Sequence, residues 1–172
     1  TLNALKIAQD NSSKEVVFMG VGFETTSPTI ASAILKADEE KINNFFVLSV
    51  GKVIPPVMRA LLESGEININ GFICPGHVSA IIGSRPYNFI AAQYSIPCVI
   101  SGFEPLDILQ TVFMLTKQIE EGRVEVEIQY KRIVKPEGNK IALEKVSRVF
   151  KIVDSEWRGI GKIPLSGLEI RE

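Results

Sequence analysis

The stretch Val16-Val17-Phe18-Met19-Gly20-Val21-Gly22-Phe23-Glu24-Thr25-Thr26-Ser27-Pro28 decides the fold. Its opening is a short, continuous apolar run without alternation, the pattern of a strand covered on both faces of a parallel sheet. A glycine-marked polar loop follows. Ser27 then reads as a helix N-cap, with Pro28 at the first helical position where a missing N–H is tolerated. The helix carries Ile30, Ala31, Ile34 and Leu35 on one face and ends in the charged run Asp38 to Lys41.

The same strand–loop–helix unit recurs in both directions. Leu2, Leu5, Ile7 and Ala8 fit a short helix before the first strand. Phe45-Phe46-Val47-Leu48 reads as a second strand, and Pro55 or Pro56 opens a helix bearing Val57, Met58, Leu61 and Leu62. Gly71-Phe72-Ile73-Cys74 is a third, very short strand. A helical turn or two over 78–82 follows, and Ser84 caps a helix with Pro86, Phe89, Ile90 and Ala91. Val99 and Ile100 lie in a fourth strand. A long helix starts at Pro105, with Ile108, Leu109, Val112, Phe113, Leu115 and Ile119 expected inward, and Gly122 ends it. This alternation predicts an α/β fold: an open, mostly parallel twisted sheet of about four strands with helices on both faces, Rossmann-like. The expectation is one domain, with residues 1–122 as the α/β core carrying the site loops. Residues 123–172 form a C-terminal helical and irregular extension of it. Within the extension, 124–134 supports both a two-residue and a helical period; the polar residues between are good helix formers, which favours helix. Pro136 to Asn139 reads as a turn, Ile141 to Phe150 as an amphipathic helix, and the tail around Trp157 as irregular with short strands.

Composition narrows the function. The chain has 172 residues, 45% of them apolar, and a net charge of −1 with both signs mixed. Nothing resembles a nucleic-acid footprint or a polybasic membrane patch, and no apolar run approaches spanning length. Cys74 and Cys98 are far apart in sequence and expected at opposite ends of their strands, so a disulfide is not expected and a reducing cytoplasm fits.

In an open parallel sheet, the loops after the strands share the carboxyl edge, where ligand crevices form. Three such loops are expected to converge there, and they supply the candidate site residues: Gly22, Phe23, Glu24, Thr25, Thr26 and Pro28; Cys74, Pro75, Gly76, His77, Val78 and Ser79; Gly102, Phe103, Glu104 and Pro105. Gly20 and Gly22 begin like a dinucleotide fingerprint, but the third glycine is missing and Glu24 stands where a pyrophosphate would lie. The bland reading of those glycines is a tight turn. Glu104 precedes Pro105 and is not a favoured cap residue, so it has either a task at the strand edge or a favourable place at the helix dipole. His77 is the only histidine; it can donate, accept, ligate a metal or move protons, or merely brace a neighbouring loop. Ser79 or Ser101 in a hydrolytic triad has little support without a nucleophile elbow. Cys74, near a helix start, is the more reactive thiol expected, and Cys98 a small buried hydrophobe.

Five segments, in order, resemble the HypD family of [NiFe]-hydrogenase maturation factors. They are Gly22-Phe23-Glu24-Thr25-Thr26-x-Pro28, Pro75-Gly76-His77-Val78-Ser79-x-Ile81-Ile82-Gly83, Gly102-Phe103-Glu104-Pro105-x-Asp107-Ile108-Leu109, Pro136-x-Gly138-Asn139 and Asp154-x-Glu156-Trp157-Arg158-Gly159. The resemblance implies a cytoplasmic protein of roughly twice this length, with two similar α/β domains facing a cleft and a cysteine-rich region holding a [4Fe–4S] cluster. It implies a scaffold on which iron gains cyanide and carbon monoxide ligands, with a HypC-type chaperone and a HypE-type cyanide donor as partners. The family's iron-binding Cys-Gly-Gly-His-type motif and cluster cysteines have no counterpart here, so the chain is expected to be a central-domain fragment with no cofactor of its own. His77 is then a weak metal candidate. The competing expectations are a nucleotide- or small-anion-dependent enzyme on a doubly wound sheet, and a plain interaction domain with structural loops.

Overall fold

A computed structural model describes residues 1–171; Glu172, the last residue of the expected C-terminal extension, lies outside the described residues. The elements in chain order are α1 (Leu2–Asp10), β1 (Val16–Gly22), α2 (Ser27–Glu39), β2 (Phe45–Gly51), α3 (Ile54–Glu63), β3 (Phe72–Pro75), α4 (Gly76–Ile82), α5 (Asn88–Tyr94), β4 (Cys98–Ser101), α6 (Pro105–Glu120), β5 (Val126–Ile128), α7 (Lys140–Val149), β6 (Phe150–Trp157) and β7 (Gly161–Ile170). A 3₁₀ turn, Arg85–Tyr87, leads into α5. The chain divides into two compact units, Thr1–Ile54 with Ile141–Glu172, and Pro55–Lys140. The boundary expected after Gly122 falls inside the second unit.

In the first unit, β1 and β2 pair in parallel, from Val16 opposite Phe45 to Gly22 opposite Gly51. Helix α2 is the crossover that parallel pairing requires. Its Ile30 and Ala31 form the core with Val149, Phe150 and Leu168, and Phe18, Val47, Ile34 and Leu35 pack against them. The expected inner face of α2 is thus the observed one. The tail is regular where irregularity was expected: β6 and β7 form a long antiparallel hairpin with a register shift between Val153 and Ser155. Strand β7 returns beside β2, where Lys52 bridges Gly167 and the Ser49 hydroxyl donates to the Leu168 carbonyl at 2.7 Å. The helical extension therefore reduces to α7. A second departure concerns the sheet faces. The continuous apolar run in β1 predicts cover on both sides, but the side bearing Val17, Met19 and Val21 is exposed.

In the second unit, β3, β4 and β5 form a parallel sheet in that order. Every residue of β4 is buried, as befits the central strand. The segment read as helix at 124–134 contains β5, because Val126 to Ile128 pair with Cys98 to Ile100 and their alternation decides over the helical spacing. Helix α6 also presents a different face. Its buried residues are Asp107, Thr111 and Gln118, while Ile108, Leu109, Val112, Phe113 and Ile119 are exposed. Apolar residues cover so wide an arc of this helix that hydrogen bonding selects the inner side. Gln118 donates to Glu127 at 2.7 Å and accepts the Glu125 N–H at 2.9 Å. The α/β class stands, but among the described residues as five parallel strands in two sheets plus a hairpin.

Candidate functional site

The loop after β1 folds back on itself. The Thr26 hydroxyl donates to the Phe23 carbonyl at 3.0 Å and the Ser27 hydroxyl to the Glu24 carbonyl at 3.2 Å. Neither side chain caps α2, whose first residue is Ser27 with Pro28 second; the expected Ser27 cap is replaced by this loop bonding. Thr25 is exposed. Gly22 has a φ of 138°, and a Cβ there would lie 2.2 Å from the Thr26 hydroxyl. The glycine is therefore required by the turn itself, the bland reading of this position.

Glu24 is 95% removed from solvent. One carboxyl oxygen accepts the Ile54 N–H at 2.7 Å. The other, Oε2, has no hydrogen-bond partner. Burial pushes its pKa above the usual carboxylate range, against the opposing pull of the Ile54 N–H. A carboxyl group so placed keeps its proton to higher pH than a free one, and it has one oxygen free for a ligand.

Two residues join this loop that sequence reasoning left out of the site. The Lys52 backbone N–H donates to the Gly22 carbonyl at 2.9 Å. Its ammonium donates to the Ser155 hydroxyl and, at 2.7 Å, to the Glu156 carbonyl, and lies 5.9 Å from the Trp157 ring. Trp157 stacks on Phe23 at 6.1 Å between centroids, and its indole N–H donates to Ser166 at 2.8 Å. The hairpin thus brings the Asp154–Gly159 motif to the Gly22–Thr26 motif. Trp157 was marked by the Asp154–Gly159 motif; Lys52 carried no signal.

The loops after β3 and β4 meet within the second unit. His77 is exposed and lies against Phe103, with ring centroids 3.9 Å apart. Tyr130 meets Phe103 edge-on at 6.4 Å, and the Arg132 guanidinium lies over Tyr130 at 4.5 Å. Arg132 clamps Asp107 with both nitrogens, at 2.8 and 2.5 Å, and reaches Glu104 at 3.6 Å. The hydrogen bonds from Arg132, then from Gln129, hold the Asp107 carboxyl well below the usual carboxylate range. Asp107 also accepts the Glu104 N–H at 3.2 Å, so Glu104 begins α6 with its own carboxylate exposed beside Arg132. The backbone packing is tight: a Cβ on Gly76 would lie 2.1 Å from the Ser101 carbonyl, and one on Gly102 2.1 Å from Asp107 Oδ2. The Pro136–Asn139 turn docks behind α4, where Ser84 donates to the Pro136 carbonyl at 3.2 Å and Asn139 to the Ile81 carbonyl at 2.9 Å.

Several candidates lie beneath this surface. Val78, Ser79 and Gly102 are buried, and Ser79 donates to the Pro75 carbonyl at 2.7 Å with the Tyr87 hydroxyl 3.2 Å away. Ser101 donates to the Gly102 carbonyl at 2.8 Å. Neither serine faces a base, so the triad has no support. Cys74 and Cys98, expected at opposite ends of their strands, are both fully buried on neighbouring strands β3 and β4. Both side chains point to the same side of the sheet, two register steps apart. The neighbouring Cys98 thiol and burial push the Cys74 thiol well up, which disfavours the reactive thiolate. A hollow of about 400 Å³ near Ile34, Phe45 and Ile170 lies by the start of β2 and contains none of the candidate residues.

A four-iron cluster takes four thiolate ligands. This chain has two cysteines, both sealed in a sheet, and does not fit one. Among the described residues no three of His, Cys, Asp and Glu are gathered to hold a metal ion, and no helix is long and apolar enough to cross a membrane.

Fold and site together define an α/β protein with motif loops at the carboxyl ends of parallel strands in each of two units. The family profile described as "HypD: Hydrogenase formation hypA family" matches residues 1–172, and the chain belongs to the HypD family. It is 46% identical, over 99% of its length, to hydrogenase maturation factor HypD2 of Bradyrhizobium diazoefficiens, covering 47% of that protein. It is 47% identical over 99% of its length to hydrogenase maturation factor HypD of Rhodobacter capsulatus, covering 45% of it. For HypD of Escherichia coli the identity is 44% over 98% of the chain, covering 46%. The chain spans about half the length of the curated relatives it matches.

Proposed function

We propose that this chain is the central part of a cytoplasmic hydrogenase maturation scaffold, on which iron acquires the cyanide and carbon monoxide ligands of the [NiFe] centre. A HypC-type chaperone and a HypE-type cyanide donor are its partners, and nucleic acid and membrane are not. The iron is cargo. A [4Fe–4S] cluster belongs to the longer family protein, outside this stretch, where it would supply electrons.

One observation carries the reading: the family's loops put a buried, half-unpartnered carboxyl (Glu24) and an exposed histidine (His77) at the carboxyl ends of parallel strands. Such ends are where α/β proteins hold small ligands. The roles follow from each group's surroundings. Glu24, protonated over a wider pH range than a free carboxyl, donates from Oε2 to a small anion or accepts its proton. His77, held by Phe103, positions or moves a proton. Arg132, with Asp107 neutralising it, fixes the loop that bears Phe103 and Glu104. The nucleotide-enzyme reading has less support, because the first loop closes on itself and presents a carboxyl group.

The test uses the full-length family protein containing this stretch. It is co-purified with the chaperone, and the complex is read by infrared spectroscopy for cyanide and carbon monoxide on iron. The wild-type complex should carry both bands and the Glu24→Ala complex should lack them. Co-purification with unchanged bands would remove Glu24 from the site; no chaperone binding by the wild type would remove the scaffold reading.

A further inference from the structure

The segment 129–132, just past the carboxyl end of β5, touches both motif loops of the second unit. Its backbone is tied to β4, where the Gln129 and Tyr130 N–H groups donate to the Ile100 carbonyl at 3.0 and 3.2 Å. The Gln129 side chain accepts the Gly102 N–H at 3.1 Å and donates to Asp107 at 3.0 Å. Arg132 clamps Asp107 in the first turn of α6. Between these two side chains in sequence comes the half-buried ring of Tyr130.

That ring has a loop against each edge. A Cβ on Gly76 would lie 2.9 Å from one ring carbon, Cδ1, and a Cβ on Gly102 would lie 2.8 Å from the other, Cδ2. Side-chain carbons do not pack that closely, so both positions admit only hydrogen beside this ring. Gly76 and Gly102 immediately precede His77 and Phe103. Tyr130 meets Phe103 edge-on at 6.4 Å, and Phe103 lies against His77 at 3.9 Å. Contact between aromatic rings is directional, so it sets angle as well as distance. Phe103 is 55% exposed and His77 is exposed, so burial in the core orients neither. The ring behind them does. Arg132, fixed by Asp107, lies over Tyr130 at 4.5 Å and holds that ring in turn. None of these contacts uses the Tyr130 hydroxyl.

We infer that Tyr130 is a positioning residue for the assembly site: its ring is the shared wall on which the loops after β3 and β4 close, and through Phe103 it sets where the His77 imidazole stands. The ring has this task and the hydroxyl does not. The inference rests on the role proposed above for His77, but the packing it invokes can be measured without any assembly.

His77 is the only histidine of the 172-residue chain, so its carbon-bound ring protons give unambiguous NMR signals. In the wild-type chain they should lie upfield of an unstacked histidine, displaced by the Phe103 ring. Tyr130→Leu should return them toward the unstacked position, and Tyr130→Phe should leave them in place. Nuclear Overhauser contacts from the Tyr130 ring to the α-protons of both Gly76 and Gly102 are expected in the wild type. Their absence would overturn the inference even if the leucine variant failed to fold. In the full-length family protein co-purified with the chaperone, Tyr130→Leu should weaken the cyanide and carbon monoxide bands at least about tenfold, as misplacement of a reacting group does. Tyr130→Phe should keep them. Unmoved His77 signals or full bands in Tyr130→Leu would overturn the inference, and so would lost bands in Tyr130→Phe. If His77→Ala also kept full bands, the role of His77 would fall and the positioning role with it, while the packing around Tyr130 would stand in the NMR data.

Discussion

Replacing Glu24 by glutamine keeps the shape of the side chain and the acceptor for the Ile54 N–H, at 2.7 Å in the native protein, and removes the charge. The native carboxyl is nearly out of water, with Oε2 unpartnered. A buried group left without a partner costs about 1–3 kcal/mol, more when charged. Because burial raises the pKa of Glu24 above 4.5 in the folded state, there is a pH window in which the folded protein retains a proton that the unfolded chain has lost. Stability contributed by Glu24 therefore falls as pH rises through that window. Glutamine has no such slope. Urea denaturation of the chain at about pH 4, below the ordinary carboxylate value, and at about pH 8 should show near-equal stability for wild type and Glu24→Gln at the lower pH. At the higher pH the variant should lead by about 1–3 kcal/mol, roughly a 5- to 150-fold change in the folding constant. Glu24→Ala should be less stable than either at both pH values, since it strands the Ile54 N–H. A glutamine variant as unstable as the alanine variant at the higher pH would refute the burial argument, because the charge would then be partnered and favourable.

The Asp107 carboxyl behaves in the opposite sense. Arg132 and Gln129 lower its folded pKa, so its contribution is present above the ordinary carboxylate range and is lost as pH falls below it. Arg132→Ala should move the midpoint of acid unfolding to higher pH, as followed by circular dichroism; an unmoved midpoint would mean that the clamp is not formed in solution. At Gly138, φ is 70° and a Cβ would lie 2.2 Å from the Ile81 carbonyl and 2.7 Å from the Gly83 nitrogen. Gly138→Ala should cost about 2–5 kcal/mol, from left-handed backbone and overpacking together. A loss below about 1 kcal/mol in urea would contradict the docking of that turn behind α4.

Much of this architecture was readable because the signals were local. The strand at β1, the turn that follows it and the apolar face of α2 depend on neighbours in sequence and stand as expected, whereas the cover of β1's second face and the Ser27 cap do not. The loops carrying His77 and Phe103 were likewise marked by glycine and proline, and they meet. The rest depends on distant partners. Three residues of β5 become a strand only because Cys98 to Ile100 lie beside them. The inner face of α6 is chosen by Gln129, Arg132 and Glu127, which no helical period anticipates. Glu104 looked anomalous as a cap until Asp107, three residues on, was seen to take its N–H. Lys52 and Trp157 reach the first loop only through the hairpin, whose pairing spans a bulge.

The central claim is that these loops serve hydrogenase assembly and not merely the fold. His77 tests it most directly, because its ring is exposed and rests on Phe103 without supporting the core. The measurement is hydrogenase activity in cells whose only HypD-type protein is the full-length form carrying His77→Ala, with its cellular level followed by immunoblot. The account predicts at least about a tenfold loss of activity at an unchanged protein level. Full activity at that level would contradict it.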